Sequence, residues 1–300
     1  MANRLQQKTE RLLNFNVTII YMNHLELFSG THSFGKTSSK LGYNVVSLDR
    51  DLGASCPFTD YISGTHIQED ILNWDYKQYP VGYFKLITAS PVCMWWSNLR
   101  SSWIGRKIKA HNGKVCTKEL LQEDIDKYGK PMVDKVFEII DYFKPDKYII
   151  ENPQVSKIKH YIAEEYPQYN KYNDFSYCKF SDWGYQKNTR FWNNINGLDS
   201  ILCKKDCDNM VITKTQKLHN NRMGTSKTVE DNGKIIRCNT KELREKYKDF
   251  ENLQFTKKHK LSVDGGKGRN HIFAQYGTNK KLERYRIPEM LCYELISKCP

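Results

Sequence analysis

Short apolar runs alternate with amphipathic segments over the first two thirds of the chain. The apolar runs lie at residues 24–28, 44–48, 84–89 and 147–150. Their short, bounded and apolar character is typical of buried strands. Residues 34–41 and 131–143 instead carry apolar side chains at helical spacing, and Gly42 follows the first of them at a position that ends helices. This alternation predicts βαβ units and a mainly parallel sheet that binds ligands at the carboxyl ends of its strands.

The periodicity weakens after residue 194. Residues 196–284 are rich in Lys, Asn, Asp and Gly, a composition that favours loops, and an amphipathic helix returns at 286–296. The expected fold class is therefore α/β, a Rossmann-like sheet with a small, irregular second lobe. The corresponding division is an N-terminal extension at 1–23, a main domain at 24–195, the small lobe at 196–284 and a closing helix at 285–300 that packs back on the main domain.

The balance of charge is strongly basic. Lysine and arginine number 47 against 34 acids, which leaves a formal charge of +13. Such an excess favours polyanionic partners, because basic side chains that neutralise phosphates release counterions. Lysine-rich usage in an AT-biased genome produces the same excess without nucleic acid, so charge alone leaves both interpretations open. Two stretches, 257–260 and 267–269, are basic enough to follow a nucleic-acid backbone or to form a solvated face.

Membrane and export signals are missing from the pattern. The longest apolar run, near residues 17–22, is shorter than the about 20 residues of a membrane span. Residues 1–13 are polar and charged where a signal peptide is apolar. Nine cysteines, an odd number, then favour reduced thiols over a disulfide framework. We expect a soluble intracellular monomer without membrane contact.

A turn joins the first predicted strand to the first predicted helix. Gly30 allows this turn to be tight and lets a ligand approach the backbone, while the helix that follows offers free N–H groups. Asp49 comes at the end of the second strand, where acids bind ribose hydroxyls in nucleotide-type sites. The pyrophosphate pattern G-x-G-x-x-G is absent, so a cofactor with an adenosine and no pyrophosphate fits better than NAD. An ordinary βα turn followed by a solvated acid is the alternative.

A thiol and a carboxylate follow two further predicted strands. Cys93 comes after the run at 84–89, and Glu151 ends the run at 147–150. Groups at the carboxyl ends of such strands can meet over the edge of a sheet. A cysteine that attacks an electron-poor ring, with an acid that protonates the ring or hydrogen-bonds to it, forms a coherent catalytic pair. Taken singly, Cys93 fits a buried apolar position and Glu151 fits a helix cap equally well.

Four blocks, in the right order, resemble the motifs of the DNA cytosine-5 methyltransferases. Leu27-Phe28-Ser29-Gly30 with Phe34-Gly35 resembles the S-adenosylmethionine loop of that family. The other three blocks are Ser90-Pro91-Val92-Cys93 for the nucleophile motif, Glu151-Asn152-Pro153 for the Glu-Asn motif, and Gln186-Lys187-Asn188-Thr189-Arg190 with Trp192 for the Gln/Arg block. The resemblance covers about residues 24–195 and 286–295. With its short second lobe, the chain is most similar to small phage and large-DNA-virus members.

The resemblance implies an enzyme that methylates carbon 5 of a cytosine flipped out of DNA. Cys93 would attack carbon 6 as a thiolate, Glu151 would hold the ring's N3 and amino group and supply a proton, and Arg190 would contact the base. Residues 24–195 would form the catalytic methyltransferase domain, and 196–284 the target-recognition lobe. The cofactor would be S-adenosylmethionine, bound by Phe28, Ser29, Gly30, Phe34, Gly35, Asp49 on the ribose, Asp70 and Ile71 beside the adenine, and Pro91.

Three tryptophans follow the nucleophile motif, at Trp95, Trp96 and Trp103, among several cationic side chains. The resemblance implies that 94–116 is a mobile loop that closes over the substrate. Its aromatic side chains could stack on bases while its cations meet phosphates. Packing of the tryptophans between helices is the alternative.

Several positions depart from the family's pattern. Val92 replaces the second proline before the cysteine, Pro153 stands where valine is usual, and Arg190 is a single arginine where two are usual. None of these changes removes a reacting group. They leave one alternative, a catalytically retired methyltransferase fold that binds nucleic acid. An RNA cytosine-5 methyltransferase is a second alternative, because DNA and RNA both present phosphates.

The second lobe contains a loose set of potential zinc ligands. Cys203, Cys207, His219 and Cys238 offer a C-x3-C start, and Cys178 is an equal candidate. No paired C-x-x-C is present, so independent reduced cysteines are favoured and we predict no metal.

Overall fold

A seven-stranded sheet forms the centre of the structure, which is a computed structural model. It describes residues 22–51, 64–212, 217–219, 228–232, 234–238, 241–249, 254–255, 261–262 and 285–298. The strands are β1 (Asn23–Leu27), β2 (Asn44–Asp49), β3 (Gly64–Gln68), β4 (Phe84–Ala89), β5 (Lys147–Pro153), β6 (Tyr172–Ser176) and β7 (Asn188–Asn193). Their order is β3-β2-β1-β4-β5-β7-β6, and β7 alone runs in the direction opposite to the other six strands. The predicted α/β class with a mainly parallel sheet is confirmed.

Helices cover both faces of this sheet. Outside the second lobe they are α1 (Ser33–Lys40), α2 (Lys118–Asp124), α3 (Lys130–Phe143), α4 (Ile158–Glu165) and α6 (Glu289–Ser297), with a π-helical turn (Ile125–Gly129) between α2 and α3. A further helix, α5 (Lys241–Lys246), lies in the second lobe. On one face, α3 buries Val136 and Phe143 at helical spacing against Ile150 of β5. On the other face, Phe34 of α1 meets Phe191 of β7 edge to face. The sheet is therefore buried on both sides, as parallel sheets require.

The closing helix α6 packs against α1. Leu291 and Leu295 are fully buried in the core on that face. The backbone N–H of Ile287 donates to Ser33 Oγ at 3.0 Å, and Lys40 forms an ion pair with Glu289. These contacts hold residues 287–289 against both ends of α1.

The register of the parallel strands brings several loops to one edge. Leu27 pairs with both Leu48 and Ala89, and Ala89 pairs in turn with Ile150. The segments that follow β1, β2, β4 and β5 therefore emerge side by side. This edge is where ligands bind in open α/β sheets.

Three strands of the sheet, β3, β6 and β7, were not predicted from the sequence pattern. β6 has the sequence Tyr-Asn-Asp-Phe-Ser, which is too polar to indicate a buried strand, yet it pairs with β7 along its whole length. β7 in turn pairs with β5, with Glu151 opposite Phe191 and Asn152 opposite Arg190. The antiparallel pair extends the sheet on the side of the predicted catalytic carboxylate.

The second lobe is irregular in its described segments. Its strands form three small antiparallel hairpins: β8 (Met210–Ile212) with β9 (Lys217–His219), β10 (Thr228–Asp231) with β11 (Lys234–Arg237), and β12 (Gln254–Phe255) with β13 (Leu261–Ser262). Residues 1–21 of the predicted extension and the basic stretches 257–260 and 267–269 lie outside the described residues. In the part of the chain that is described, no helix combines the length and apolarity that crossing a membrane requires.

Candidate active site

The turn after β1 is wound tightly. Phe28, Gly30 and His32 all have left-handed backbone angles, with φ of 54°, 46° and 53°. Two hydrogen bonds tie the turn to β2: Ser29 N–H donates to the Leu48 carbonyl at 3.2 Å, and Gly30 N–H donates to Asp49 Oδ2 at 2.9 Å. Gly30 is the residue that adopts this conformation at least cost. The predicted cofactor residues 28–30 and Asp49 are thus in direct contact.

Glu26 of β1 stabilises this turn, a role that was not predicted from the sequence. Its carboxylate, in the buried interior of β1, accepts from Gly35 N–H at 2.8 Å and from Ser47 Oγ at 3.0 Å, and lies 3.3 Å from His32 Nδ1. Burial alone would raise the pKa of Glu26, but the hydrogen bond and charge of His32, with smaller contributions from His24 and Gly35, lower it overall. The sequence feature that could have indicated this role is an acidic residue inside the apolar run at 24–28. An ionised Glu26 at the first turn of α1 positions the loop.

The remaining predicted cofactor residues lie around the ends of β2 and β3. Asp49 Oδ1 accepts from the backbone of Asp51 at 2.8 Å, and Asp70 Oδ1 accepts from the backbone of Leu72 at 3.0 Å. Ile71 is buried in the core. The turn that carries Asp70 and the loop at Asp49 are neighbours because β2 and β3 pair in parallel up to Asp49 and Gln68.

The donors and acceptors on this edge fit an adenosine-bearing cofactor. The buried hydroxyl of Ser29 makes no hydrogen bond within the described part of the chain, so a polar group of a ligand can satisfy it. The Asp49 carboxylate lies next to it at the end of β2, the place where ribose hydroxyls are bound. Phe34 and Gly35 are buried in α1, behind the loop.

The segment that carries Cys93 lies beside the cofactor loop. Ser90 N–H donates to the Leu27 carbonyl at 3.2 Å, which joins the ends of β4 and β1. The Asn152 side chain donates from Nδ2 to the Pro91 carbonyl at 2.9 Å, which joins the end of β5 to the same segment. Pro91 is buried and Cys93 is partly exposed. The thiol therefore lies on a short loop held between the predicted cofactor turn and the Glu-Asn motif.

Glu151, Tyr177 and Lys187 form a buried polar cluster next to this loop. Glu151 Oε1 accepts from the Tyr177 hydroxyl at 3.2 Å, and Lys187 Nζ lies 3.5 Å away from the same oxygen. The side chains of Glu151 and Lys187 are each only 10% exposed. Lys187 belongs to the segment that resembles the Gln/Arg block. Its ion pair with Glu151 was not predicted, because the two residues meet only through the pairing of β7 with β5.

Cys93 interacts electrostatically with both charges of that cluster. Burial is the larger cause that raises the pKa of the Cys93 thiol above its ordinary value, and the negative charge of Glu151 adds to it. The ammonium of Lys187 acts in the opposite direction and lowers the pKa. The resting state is thus a protonated thiol whose ionisation depends on the balance of the two neighbouring charges.

Arg190 is held on a different set of partners. Its guanidinium makes two hydrogen bonds to Asp174, at 2.8 and 2.9 Å, and lies 3.4 Å above the ring of Tyr172. The structure thus brings Cys93 and Glu151 together with Lys187. The Arg190 guanidinium instead contacts β6 and lies 5.8 Å from the ring centroid of Trp192 in β7. Its predicted contact with the base stays a prediction.

The segment after Cys93 is folded around Arg100. This arginine is buried, pairs with Asp124, and lies between the rings of Trp95 and Trp103 at 5.2 and 5.4 Å from their centroids. Trp96 is 3% exposed and packs in the core. For Trp96, then, the structure favours packing over stacking on a base.

One group of potential metal ligands is present among the described residues. It consists of Cys178, Cys203, Cys207 and His219. Cys238 was also predicted as a potential zinc ligand. It is instead buried in a small core with Val229 and Tyr247. That candidate was wrong because sequence spacing cannot show that the loop after β6 brings Cys178 to the lobe.

Comparison with known proteins places this geometry in a family. No protein-family model matches the chain. Over 283 residues the chain is 32% identical to a protein of Frog virus 3 (isolate Goorha) named "Probable DNA (cytosine-5)-methyltransferase"; the match covers 93% of this chain and 100% of that protein.

Two solved structures are similar at a lower level. The Entamoeba histolytica methyltransferase EhMeth matches with a TM-score of 0.47 and 13% identity, over 93% of this chain and 98% of that one. The S. pombe Dnmt2 methyltransferase matches with a TM-score of 0.38 and 16% identity, over 60% of this chain and 52% of that one. Since both TM-scores are below 0.5, the fold assignment rests on the strand order of the sheet itself, and the family on the viral relative. The chain belongs to the DNA cytosine-5 methyltransferase family.

Proposed function

We propose that this protein transfers the methyl group of S-adenosylmethionine to carbon 5 of a cytosine in DNA, through a covalent adduct with Cys93. One observation carries the proposal. Cys93 lies close enough to Glu151 and Lys187 for both charges to act on its thiol, and its loop is hydrogen-bonded to the end of β1. A nucleophile, a carboxyl group and a cofactor loop at one sheet edge are the parts that this reaction needs.

The proposed reaction begins with a cytosine swung out of the duplex, at a cost of a few kcal/mol in pairing and stacking. The Cys93 thiol passes its proton through water to the Glu151 carboxylate, and its sulfur forms a bond to carbon 6 of the ring. Glu151 holds N3 and the amino group and gives that proton to N3, so that the electrons displaced from the double bond between carbons 5 and 6 make carbon 5 nucleophilic. S-Adenosylmethionine, when bound, would supply the methyl group from its positively charged sulfur and would leave as the neutral thioether.

Release of the product restores the thiol. Once carbon 5 carries the methyl group, its hydrogen leaves as a proton to water in the site. The electron pair from that C–H bond re-forms the ring double bond, the bond between Cys93 and carbon 6 breaks, and the departing thiolate takes back the proton of N3 by way of Glu151. Lys187 acts in this scheme as a positioning residue: its ammonium compensates the charge of Glu151 and keeps the Cys93 pKa from rising further.

Residues along the edge of β1, β2 and β3 would hold the cofactor. Asp49 would bind the ribose, Asp70 and Ile71 would flank the adenine, and the Ser29 hydroxyl would find the partner that it lacks among the described residues. Phe28, Gly30 and Pro91 would shape the pocket, and Phe34 and Gly35 would support its loop from behind. Glu26, beneath the turn, would fix the loop without touching the cofactor.

Residues 196–284 would read the target, and the catalytic domain would comprise 24–195. This division is supported by the completion of the sheet at Asn193 and by the small hairpins that follow it. The formal charge of +13 supports a polyanionic substrate. We expect the protein to act as a monomer.

The test is to incubate the purified protein with S-adenosylmethionine labelled on its methyl group and with duplex DNA or RNA, and to digest the product to nucleosides. Label in 5-methylcytosine from DNA is the expected result. Label in RNA alone, in N4-methylcytosine or in N6-methyladenine contradicts the proposal. The matched control is Cys93→Ala, which we expect to bind the cofactor with unchanged affinity and to transfer no methyl group.

A further inference from the structure

Four metal-ligating side chains converge where the second lobe meets the sheet. They come from separate parts of the chain: Cys178 follows β6, Cys203 and Cys207 lie in the loop before β8, and His219 ends β9. Their ligand atoms, three sulfurs and one ring nitrogen, all lie within 4.8 Å of one another. Residues this distant in sequence meet so closely only because the fold brings them together.

The distances suit a tetrahedral zinc ion. With Zn–S bonds of about 2.3 Å and a Zn–N bond of about 2.0 Å, tetrahedral angles place neighbouring ligand atoms about 3.5–3.8 Å apart. Cys203 Sγ lies 3.5 Å from His219 Nε2, and no pair in the group exceeds 4.8 Å. A sub-ångström adjustment would therefore bring the four atoms onto one ion. Three thiolates and one imidazole are also a preferred ligand set for structural zinc.

The backbone around the cluster is already fixed by other contacts. The side chain of Asn209, almost fully buried, donates to the carbonyls of Cys178 and Ser181 at 2.8 and 2.7 Å. Cys203 N–H donates to Ser176 Oγ at 2.9 Å, on the last residue of β6. These bonds hold two of the four ligands, Cys178 and Cys203, in place without a metal, which reduces the ordering of the chain that binding requires.

Two lysines offset the charge that such a centre would carry. Three thiolates around Zn²⁺ leave one negative charge. Lys179 pairs with Asp206 at 2.9 Å and interacts electrostatically with Cys203 and Cys207, while Lys205 lies close enough to His219 to interact with it. Cations beside a thiolate-rich site favour the ionised ligands.

We propose that Cys178, Cys203, Cys207 and His219 bind one structural Zn²⁺ ion. Four protein ligands leave no open position, so the ion has no part in the methyl transfer. Binding would release the thiol protons of the cysteines to solvent. The ion would fasten the loop at 203–207 and the strand β9 to the segment after β6, where Tyr177 donates its hydroxyl to Glu151.

The test is the metal content of the full-length protein, purified under reducing conditions without chelator. Mass-spectrometric elemental analysis is expected to find one zinc per chain. After zinc is exchanged for cobalt(II), the spectrum is expected to show the intense visible bands and sulfur-to-cobalt charge transfer of a tetrahedral thiolate site. Folded, fully reduced wild-type protein with neither zinc nor these bands overturns the proposal, as does a disulfide between any two of the three cysteines in protein purified without oxidant.

Variants assign the ligands. Cys203→Ala and Cys207→Ala are each expected to lower zinc occupancy at least tenfold. Cys238→Ala and Cys116→Ala, which remove buried thiols outside the group, are expected to retain one zinc per chain. Equal loss in the two control variants, with their circular dichroism unchanged, would contradict the assignment. Should a ligand variant fail to fold, the wild-type cobalt spectrum still decides whether thiolates bind the metal.

Discussion

The chemistry of the proposed site depends on how a few charges are arranged around one thiol. Cys93 lies partly exposed on the loop after β4, with the carboxylate of Glu151 and the ammonium of Lys187 acting on it in opposite directions. Both charges are nearly buried, where they are screened little by water.

Changing either charge should shift the reactivity of Cys93 in a known direction. Glu151→Gln removes the charge that raises the thiol pKa, so alkylation of Cys93 by iodoacetamide at pH 7.5 should become several-fold faster. Lys187→Ala removes the charge that lowers the pKa, so alkylation should become several-fold slower, since one pKa unit is about tenfold in thiolate. The measurement is the rate of labelling of the Cys93 peptide by mass spectrometry between pH 6 and 9.

Lys187→Arg serves as the matched control for that series. It keeps the positive charge near Glu151, so its labelling rate should stay close to that of the wild type. Labelling rates that do not change in Glu151→Gln or in Lys187→Ala would show that these charges do not act on the thiol.

At the scale of elements, β1 organises the site through two buried polar side chains on the same face of the strand. His24 lies fully buried near its start and bridges α1 to β4, with Nδ1 2.6 Å from Ser38 Oγ and Nε2 2.8 Å from Thr88 Oγ1. Glu26, two residues later, binds the first turn of α1. One strand therefore fixes both the helix behind the cofactor loop and the strand that leads to Cys93.

His24 should make stability depend on pH. Burial lowers its pKa from 6.5 to about 4, so the folded protein binds this proton more weakly than the unfolded chain does. The stability that it contributes is present above pH 6.5 and is lost as the pH falls from about 6.5 to about 4, by roughly 3 kcal/mol. The measurement is the free energy of unfolding by urea between pH 4 and 8.

His24→Gln is the comparison for that measurement. It keeps a hydrogen-bonding side chain without a titrating ring, so the free energy of unfolding should fall by less over the same pH interval. Parallel pH profiles for the variant and the wild type would remove His24 as the cause.

At the scale of the whole molecule, part of the fold and of the site was predictable and part was not. The apolar runs that become β1, β2, β4 and β5 are bounded and continuous because these strands are buried on both faces. They predicted the α/β fold class and the edge of the sheet at which the candidate site lies. β6 was missed because its side chains are largely polar, with Asp174 engaged by Arg190. Lys187 beside Glu151 and Cys178 beside Cys203 are tertiary contacts between distant segments, which spacing along the chain does not encode.

Salt dependence tests whether the basic charge of the molecule serves DNA binding. The logarithm of the binding constant should fall linearly with the logarithm of the salt concentration, by about 0.9 for each phosphate neutralised. Replacing Lys257 and Lys258 together with Ala should make this slope shallower by about 2. The measurement is fluorescence anisotropy of labelled duplex DNA between 50 and 300 mM salt.

Lys85→Ala combined with Lys147→Ala is the control for charge, because these lysines lie at the amino ends of β4 and β5, away from the proposed site. The control should leave the slope unchanged. An equal decrease in both double variants would indicate diffuse attraction to the whole molecule rather than contact through the second lobe.

The most direct measurement of the central claim is to trap the bond between Cys93 and the base. Duplex DNA in which 5-fluorocytosine replaces cytosine has no hydrogen at carbon 5 to lose, so the adduct should persist after methyl transfer. We predict a complex that withstands denaturing electrophoresis, forms only with S-adenosylmethionine present, and carries the base on the Cys93 peptide in mass spectrometry. Methylation of ordinary DNA without a trapped complex, or a complex at a different residue, would contradict the account.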